Sequence, residues 1–176
     1  SNNKSNYKFV SPIKTSFPQK MTAILYNSDT LKVIDSGNEV FSDTLNYKAR
    51  RVVWAVFKVK NTSKIFVVLN THLSFLSKNK TDENYPIQAC QVNKLYTVTK
   101  TLYSLYSAPI LVIGDFNTKR RVNYQKSVVT SGSYGILNSL YTDAENVAQN
   151  KFFSENMSFN NTLNDHIFIY GDVNVT

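Results

Sequence analysis

Apolar residues in this chain fall into short runs separated by polar turns. Thr22 to Tyr26 (TAILY) reads as a strand, Asn27-Ser28-Asp29 as a turn, and Leu31 to Asp35 as a second strand that alternates in the next positions. These two are expected to pair as a hairpin. Val52 to Lys60 (VVWAVFKVK) is β-branched and aromatic, and Asn61-Thr62-Ser63 is a turn signal. Ile65 to Leu69 (IFVVL) is continuously apolar, as in a strand covered on both faces. A second antiparallel hairpin is expected there. Pro86 suits the first turn of a helix, with Asn84 as a nearby cap. Leu95, Val98, Leu102 and Leu105 recur at helical spacing. Ser107-Ala108-Pro109 ends that helix. Ile110 to Ile113 (ILVI) is another buried strand, Tyr141 to Asn150 a short helix, and Ile167 to Tyr170 (IFIY) a last strand. Lys119 to Leu140 and Phe152 to Asn164 give no regular pattern. Ser1 to Lys20 is polar, carries Pro12 and Pro18, and reads as a loop or tail. Strand, helix, strand order argues for a layered α/β domain.

Composition narrows the class. With 176 residues the chain fits one domain, residues 21–176 by this reading, and no internal repeat or linker divides it. Its hydrophobic fraction of 42% and aromatic fraction of 13% exclude a disordered chain. No apolar run approaches the ~20 residues of a membrane span. A net charge of +8 favours polyanionic partners, although Lys is spread along the chain rather than gathered in runs. The single cysteine, Cys90, excludes an internal disulfide and is expected to be a small buried hydrophobe within the helix. Tyr85, Tyr124 and Tyr134 are available for base stacking or for packing.

Polar clusters stand at the ends of the apolar strands, where a rigid element can aim side chains into a crevice. Asn70-Thr71-His72-Leu73 follows IFVVL. His72 there could donate to a phosphate oxygen or orient a carboxylate, or serve only as a hydrogen-bonded strand end. Gly114-Asp115-Phe116-Asn117 follows ILVI. Gly114 permits a sharp turn, Asp115 can orient a water or bind a hard metal, and Asn117 offers a donor and an acceptor. The same residues also favour an Asx turn. Asn164-Asp165-His166 precedes IFIY, and Asp165 could hold a histidine tautomer or cap the strand.

Taken in order, strand–NTHL, helix, strand–GDFN and DHIF resemble the endonuclease/exonuclease/phosphatase, or deoxyribonuclease I-like, superfamily. TAILYNSDTLKVIDSG resembles its early hairpin and RRVVWAVFKV the strand before NTHL. The resemblance runs from about Met21 to Val175. It implies a four-layer α/β sandwich: two mostly antiparallel sheets with outer helices. It also implies a phosphoesterase that uses Mg²⁺ (or Mn²⁺). By it, His72 contacts the scissile phosphate and Asp115 manages the water proton. Asn117 holds a phosphate oxygen, and Asp165 buttresses the family's terminal histidine. Asp115 and Asp165 are the metal-side carboxylates. Arg51, with Arg50 an equal candidate, matches a basic residue that touches phosphate.

The departures are specific. Ser1 to Lys20 contains no acidic residue, so the family's asparagine strand and metal-binding glutamate have no counterpart. The family's terminal Ser-Asp-His is not found beyond IFIYGDVNV, unless Asn164-Asp165-His166 is that motif and His166 the base. The domain is therefore expected to be incomplete in this chain, with a partner chain completing it as one arrangement. Nucleic acid is the favoured substrate, within a family range that includes phosphoinositides and sphingomyelin. An inactive relative or fragment that binds nucleic acid or a partner through a basic surface is the alternative. A structural module, with NTHL and GDFN as simple strand-end turns, is a further one.

Overall fold

A computed structural model describes residues 6–11, 22–41, 50–74, 84–122, 128–131, 133–148 and 163–172. A seven-stranded mixed sheet forms the centre. A two-stranded sheet lies on one face and helices on the other.

The two-stranded sheet pairs β1 (Tyr7–Val10) with β2 (Ile24–Asn27), antiparallel. In the large sheet, β3 (Leu31–Val40), β4 (Arg51–Val59) and β5 (Ile65–His72) pair antiparallel in turn. Helix α1 (Asn84–Tyr106) then returns the chain so that β6 (Ile110–Val122) runs parallel to β5. Next come β7 (Val128–Ser131), α2 (Tyr134–Leu140), β8 (Thr142–Asp143), α3 (Ala144–Val147) and β9 (Leu163–Tyr170). The strand order is β3-β4-β5-β6-β9-β8, with β7 on the far part of β6.

Near-continuous apolar runs follow from burial on both faces. Along β4, Val52 and Val56 join α1 residues Val92, Leu95 and Leu102 in one core. The intervening Val53, Ala55 and Phe57 pack beneath β1–β2 with Ile24, Val10 and Tyr26. Each such side chain, fully buried, contributes about 1.5–3 kcal/mol before entropy is set against it. The layered α/β sandwich and its deoxyribonuclease I-like plan are therefore present. The described residues supply three of the expected layers: helices, the large sheet and the small sheet.

Several local expectations are corrected. β2 does not pair with β3. The chain crosses between layers at residues 27–30, where Asn27 Oδ1 accepts the Asp29 N–H (2.8 Å) and the Asn6 amide grips the Asp29 carboxylate at 2.7 and 2.9 Å. That grip holds β1 on the turn, so β2 takes β1 as partner. Part of the polar tail is thus a strand. Residues 12–20, with both prolines, lie outside the described residues. β9 begins at Leu163, which places Asp165 and His166 inside the strand rather than before it. Cys90 is exposed, because the helix turns it away from the sheet. Leu105 is 69% exposed near the C-terminal end of α1. Only α3 represents the helix expected over Tyr141 to Asn150. Among the described residues no helix is long and apolar enough to cross a membrane.

Candidate active site

Strand register assembles the site. The parallel β5–β6 ladder sets His72 opposite Asp115, and the antiparallel β6–β9 ladder sets Asp115 opposite Asp165. Laterally paired residues share a face of a sheet, so three polar residues from three strands form one row. The next residues Leu73 and Phe116, and Phe168 three positions past Asp165, enter the helix-side core. The row therefore faces away from the helices, at the edge of the sandwich.

Within the row, His72 Nε2 lies 3.5 Å from Asp115 Oδ2, and both side chains are substantially exposed (47% and 36%). Asp115 Oδ1 accepts the Asn117 N–H at 2.8 Å, which fixes the carboxylate's orientation. Asn117 holds a left-handed backbone (φ 48°), and its amide nitrogen donates to the Leu73 carbonyl at 2.9 Å. One of its two donor hydrogens remains for a further acceptor. The His72 pKa is lowered from the usual 6.5, first by partial burial and then by the positive charge of Arg50; Asp115 and Asp165 pull the other way. Arg50, Asp115 and Asp165 are thus the charged groups that act on the imidazole.

Of the two arginines, Arg50 is the one whose charge reaches His72. Arg51 is directed elsewhere, its guanidinium 3.4 Å from Asn38 Oδ1 on β3. Their backbones are pinned beside the site, since Phe41 N donates to Arg50 O and Thr71 Oγ1 to Arg51 O.

His166 is not brought to this group. It lies on the opposite face of β9, 6% exposed. Its Nδ1 is 3.6 Å from Asp143 Oδ2, and its ring packs against Tyr134, Phe168 and Phe116. Tyr134 donates to the same Asp143 carboxylate at 2.6 Å. Burial pushes the Asp143 pKa up, but the contacts from His166, Tyr134 and the Glu145 N–H outweigh that and hold it below the usual value. The assignment of His166 as base is thus corrected to a core histidine. Tyr134, weighed as a stacking residue, is likewise buried. Tyr124 lies outside the described residues.

Gly114 makes the row possible. Its φ is 137°, and a Cβ there would stand 1.9 Å from the Thr71 carbonyl oxygen. Only glycine lets β5 and β6 approach this closely at the point where His72 and Asp115 emerge.

Two further residues carry no signal in the apolar pattern. Gln88 and Gln91 face the sheet from the first turns of α1, 0% and 2% exposed. Gln88 Nε2 lies within donating distance of the carbonyls of Ser74 (3.0 Å), Phe116 (3.1 Å) and Asn117 (3.2 Å), and its Oε1 accepts the Ser133 N–H at 2.9 Å. Gln91 Oε1 accepts the Ser74 N–H, and its amide donates to Ser74 Oγ. Both therefore clamp the loops that follow His72 and Asp115. An i, i+3 glutamine pair within an amphipathic helix was the available sign.

No group of three or more His, Cys, Asp or Glu side chains able to hold a metal occurs among the described residues. Asp115 and Asp165 nevertheless supply two adjacent carboxylates. That set suits Mg²⁺, which keeps several waters and binds through one or two carboxylates plus substrate phosphate.

No protein-family model matches the sequence. No curated protein matches it either. Solved structures do match. An endonuclease/exonuclease/phosphatase family protein from Bacteroides thetaiotaomicron superposes with a TM-score of 0.70 at 18% identity, over 93% of this chain and 61% of that one. The mannosyl-6-phosphatase of the same organism gives 0.70 and 18%, over 93% and 62%. The human Nocturnin catalytic domain, solved with bound sulfate, gives 0.62 and 15%, over 93% and 60%. This chain has the fold of the endonuclease/exonuclease/phosphatase proteins, and it spans about three-fifths of the length of these structures.

Proposed function

We propose that this chain carries the catalytic row of a phosphoesterase that hydrolyses a phosphodiester or phosphomonoester, with nucleic acid the favoured substrate. The observation that carries the reading is the register-locked row His72–Asp115–Asp165, exposed at a sandwich edge beside the positive charge of Arg50. Ordinary strand-end turns do not require two carboxylates and a histidine from three strands to converge on one solvent-facing spot. Fold neighbours that include a phosphatase and a sulfate-bound catalytic domain support the same class.

In this reading, the substrate phosphate sits over the row. His72, neutral near pH 7, donates to a phosphate oxygen. Arg50 attracts the anion, and the free hydrogen of the Asn117 amide fixes a second oxygen. Asp115, held by the Asn117 N–H, accepts a proton from water as that water attacks phosphorus in line. The P–O bond to the leaving group then breaks, and the departing oxygen takes a proton from solvent, while Asp115 returns its own to solvent. A divalent cation held by Asp115 and Asp165 would neutralise charge on the phosphate.

The test is hydrolysis of plasmid DNA, RNA, a phosphoinositide, sphingomyelin and a chromogenic diester, with and without Mg²⁺ or Mn²⁺. The reading expects metal-dependent turnover that Asp115→Ala reduces by about 10²-fold or more, as loss of a proton-transfer group does. Turnover unchanged by Asp115→Ala would sink it. A folded chain inert on every substrate would favour the other reading, an inactive relative or a fragment used for binding. The absence of a three-ligand metal cluster among the described residues is what keeps that reading in play.

A further inference from the structure

The end of the large sheet away from the catalytic row is built from lysine. Lys32 of β3 and Lys58 of β4 are direct cross-strand partners, and both are exposed. Direct partners hold their Cβ atoms about 5 Å apart, and like charges so placed repel. Lys60 and Lys64 flank the β4–β5 turn beside them. The Lys60 N–H donates to the Thr30 carbonyl at 2.8 Å, and the Lys64 carbonyl accepts from the Val59 N–H at 2.9 Å. Lys60, two residues past Lys58, lies on the same face as Lys58 and Lys32, whereas Lys64, the partner of Val59, lies on the opposite face, so three lysines share one corner.

The carboxylates nearest in sequence are already committed. Asp29 is bound by the Asn6 amide, and Asp35 accepts from the Tyr106 hydroxyl. Among the described residues, Lys94 with Glu39 is the lysine–carboxylate ion pair, and none of these four lysines has one. The neutral donors leave Asp29 and Asp35 charged, but neither forms an ion pair with Lys32 or Lys58 among the described residues, and the repulsion of that pair weakens the sheet unless something relieves it.

We infer that this lysine corner docks the phosphate backbone of a nucleic-acid strand, at a place separate from the catalytic row. Arg51 to Lys58 is seven residue steps along β4, or about 23 Å at ~3.3 Å per residue. The corner is therefore a second contact and not part of the first. An anionic bilayer is the rival polyanion. Surfaces that enter bilayers present apolar or aromatic side chains beside their lysines. The turn here is Asn61-Thr62-Ser63, which has none to insert, and on β3 the exposed apolar side chain beside Lys32 is Ile34 alone, too little to enter a bilayer.

The test measures anisotropy of a fluorescent single-stranded DNA of about 20 nucleotides, long enough for one such module. It uses the whole chain in EDTA, across a salt series. Lys32→Gln with Lys58→Gln removes two phosphate contacts. The slope of log K against log salt should fall by about 1.4, with an affinity loss of about tenfold or more at low salt. Lys94→Gln with Lys100→Gln removes the same charge from α1 and should cost less than about twofold. Lys60→Gln, a corner variant that leaves the strand interiors untouched, should lower the slope by about 0.7. The assay reads binding in EDTA rather than turnover, so its outcome is separate from that of the catalytic reading. Equal losses from the α1 pair would reduce the effect to net charge and overturn the inference. So would unchanged binding in both corner variants, or corner-dependent binding confined to phosphatidylserine vesicles.

Discussion

Gln88→Met is the sharpest test of how α1 sustains the site. Methionine matches glutamine in length and volume but carries no amide, so the change isolates hydrogen bonding from packing. Gln88 is 0% exposed, so water cannot replace what is lost. The Ser133 N–H loses its acceptor, and the carbonyls of Ser74, Phe116 and Asn117 lose the amide they share. An amide has two hydrogens, so the carbonyl contacts amount to two bonds at most. Each buried group left unsatisfied costs about 1–3 kcal/mol. Counting the Ser133 N–H in full and the carbonyls, which have spare lone pairs, at the low end gives about 3 kcal/mol. For a domain of this size that is a fall of about 6–12 °C in Tm. Urea unfolding followed by circular dichroism measures it, and a shifted midpoint at constant slope marks lost stability rather than altered compactness. Gln88→Glu keeps the acceptor for Ser133 but replaces the donor with charge, so it should cost at least as much near neutral pH. If Gln88→Met costs less than about 1 kcal/mol, the contribution of one ordinary net hydrogen bond, the clamp is not what holds these loops.

Two predictions address the row itself. Gly114→Ala drives a Cβ into the Thr71 carbonyl at 1.9 Å on a backbone of φ 137°, so the cost should exceed about 4 kcal/mol and little folded protein should accumulate. Gly37→Ala, whose new Cβ would meet the movable Trp54 ring at 2.5 Å, is the milder comparison; equal melting of the two variants would contradict the β5–β6 geometry. His72 should titrate by NMR with a midpoint below 6.5, which Arg50→Gln raises and Asp165→Asn lowers further. The sign also fixes its stability effect: as pH falls through 6.5 the unfolded chain takes the proton first, so His72 weakens folding on the acid side. A midpoint insensitive to both substitutions would separate His72 from its assigned neighbours.

The strands and the polar residues at their ends are legible in the sequence for one physical reason. A strand covered on both faces must be apolar throughout, so VVWAVF, IFVVL and ILVI stand out. Whatever polar residue ends such a run is conspicuous too. His72 and Asp115 were visible on that ground. What failed concerned partnership. TAILY and LKVID each read as a strand, but nothing in their alternation says that the Asn6–Asp29 contact carries the chain between layers instead of reversing it within one. His166 resisted for a related reason. Asp165 and His166 are adjacent in sequence, and a strand sends adjacent residues to opposite faces, so only one of them can join the row. Which one depends on the β6–β9 register, and that is a long-range fact.

Gln88 and Gln91 are hidden in the sequence on similar grounds. Pattern reading treats a polar residue in an amphipathic helix as solvent-facing, and here two of them are fully buried against the loops beside the site. The β5–β6 ladder ends at His72 and Asp115, and the β6–β9 register is interrupted just after Asp115. Asn117, in its left-handed conformation, leans on Leu73 across the gap, and the two glutamines close it from the helix side. A row of catalytic groups at the rim of a sheet is rigid only as far as the ladder runs. The distance between His72 and Asp115 is therefore set by the ladder behind them and by α1 in front. A substitution in α1 that never touches a substrate should reach the chemistry through those carbonyls.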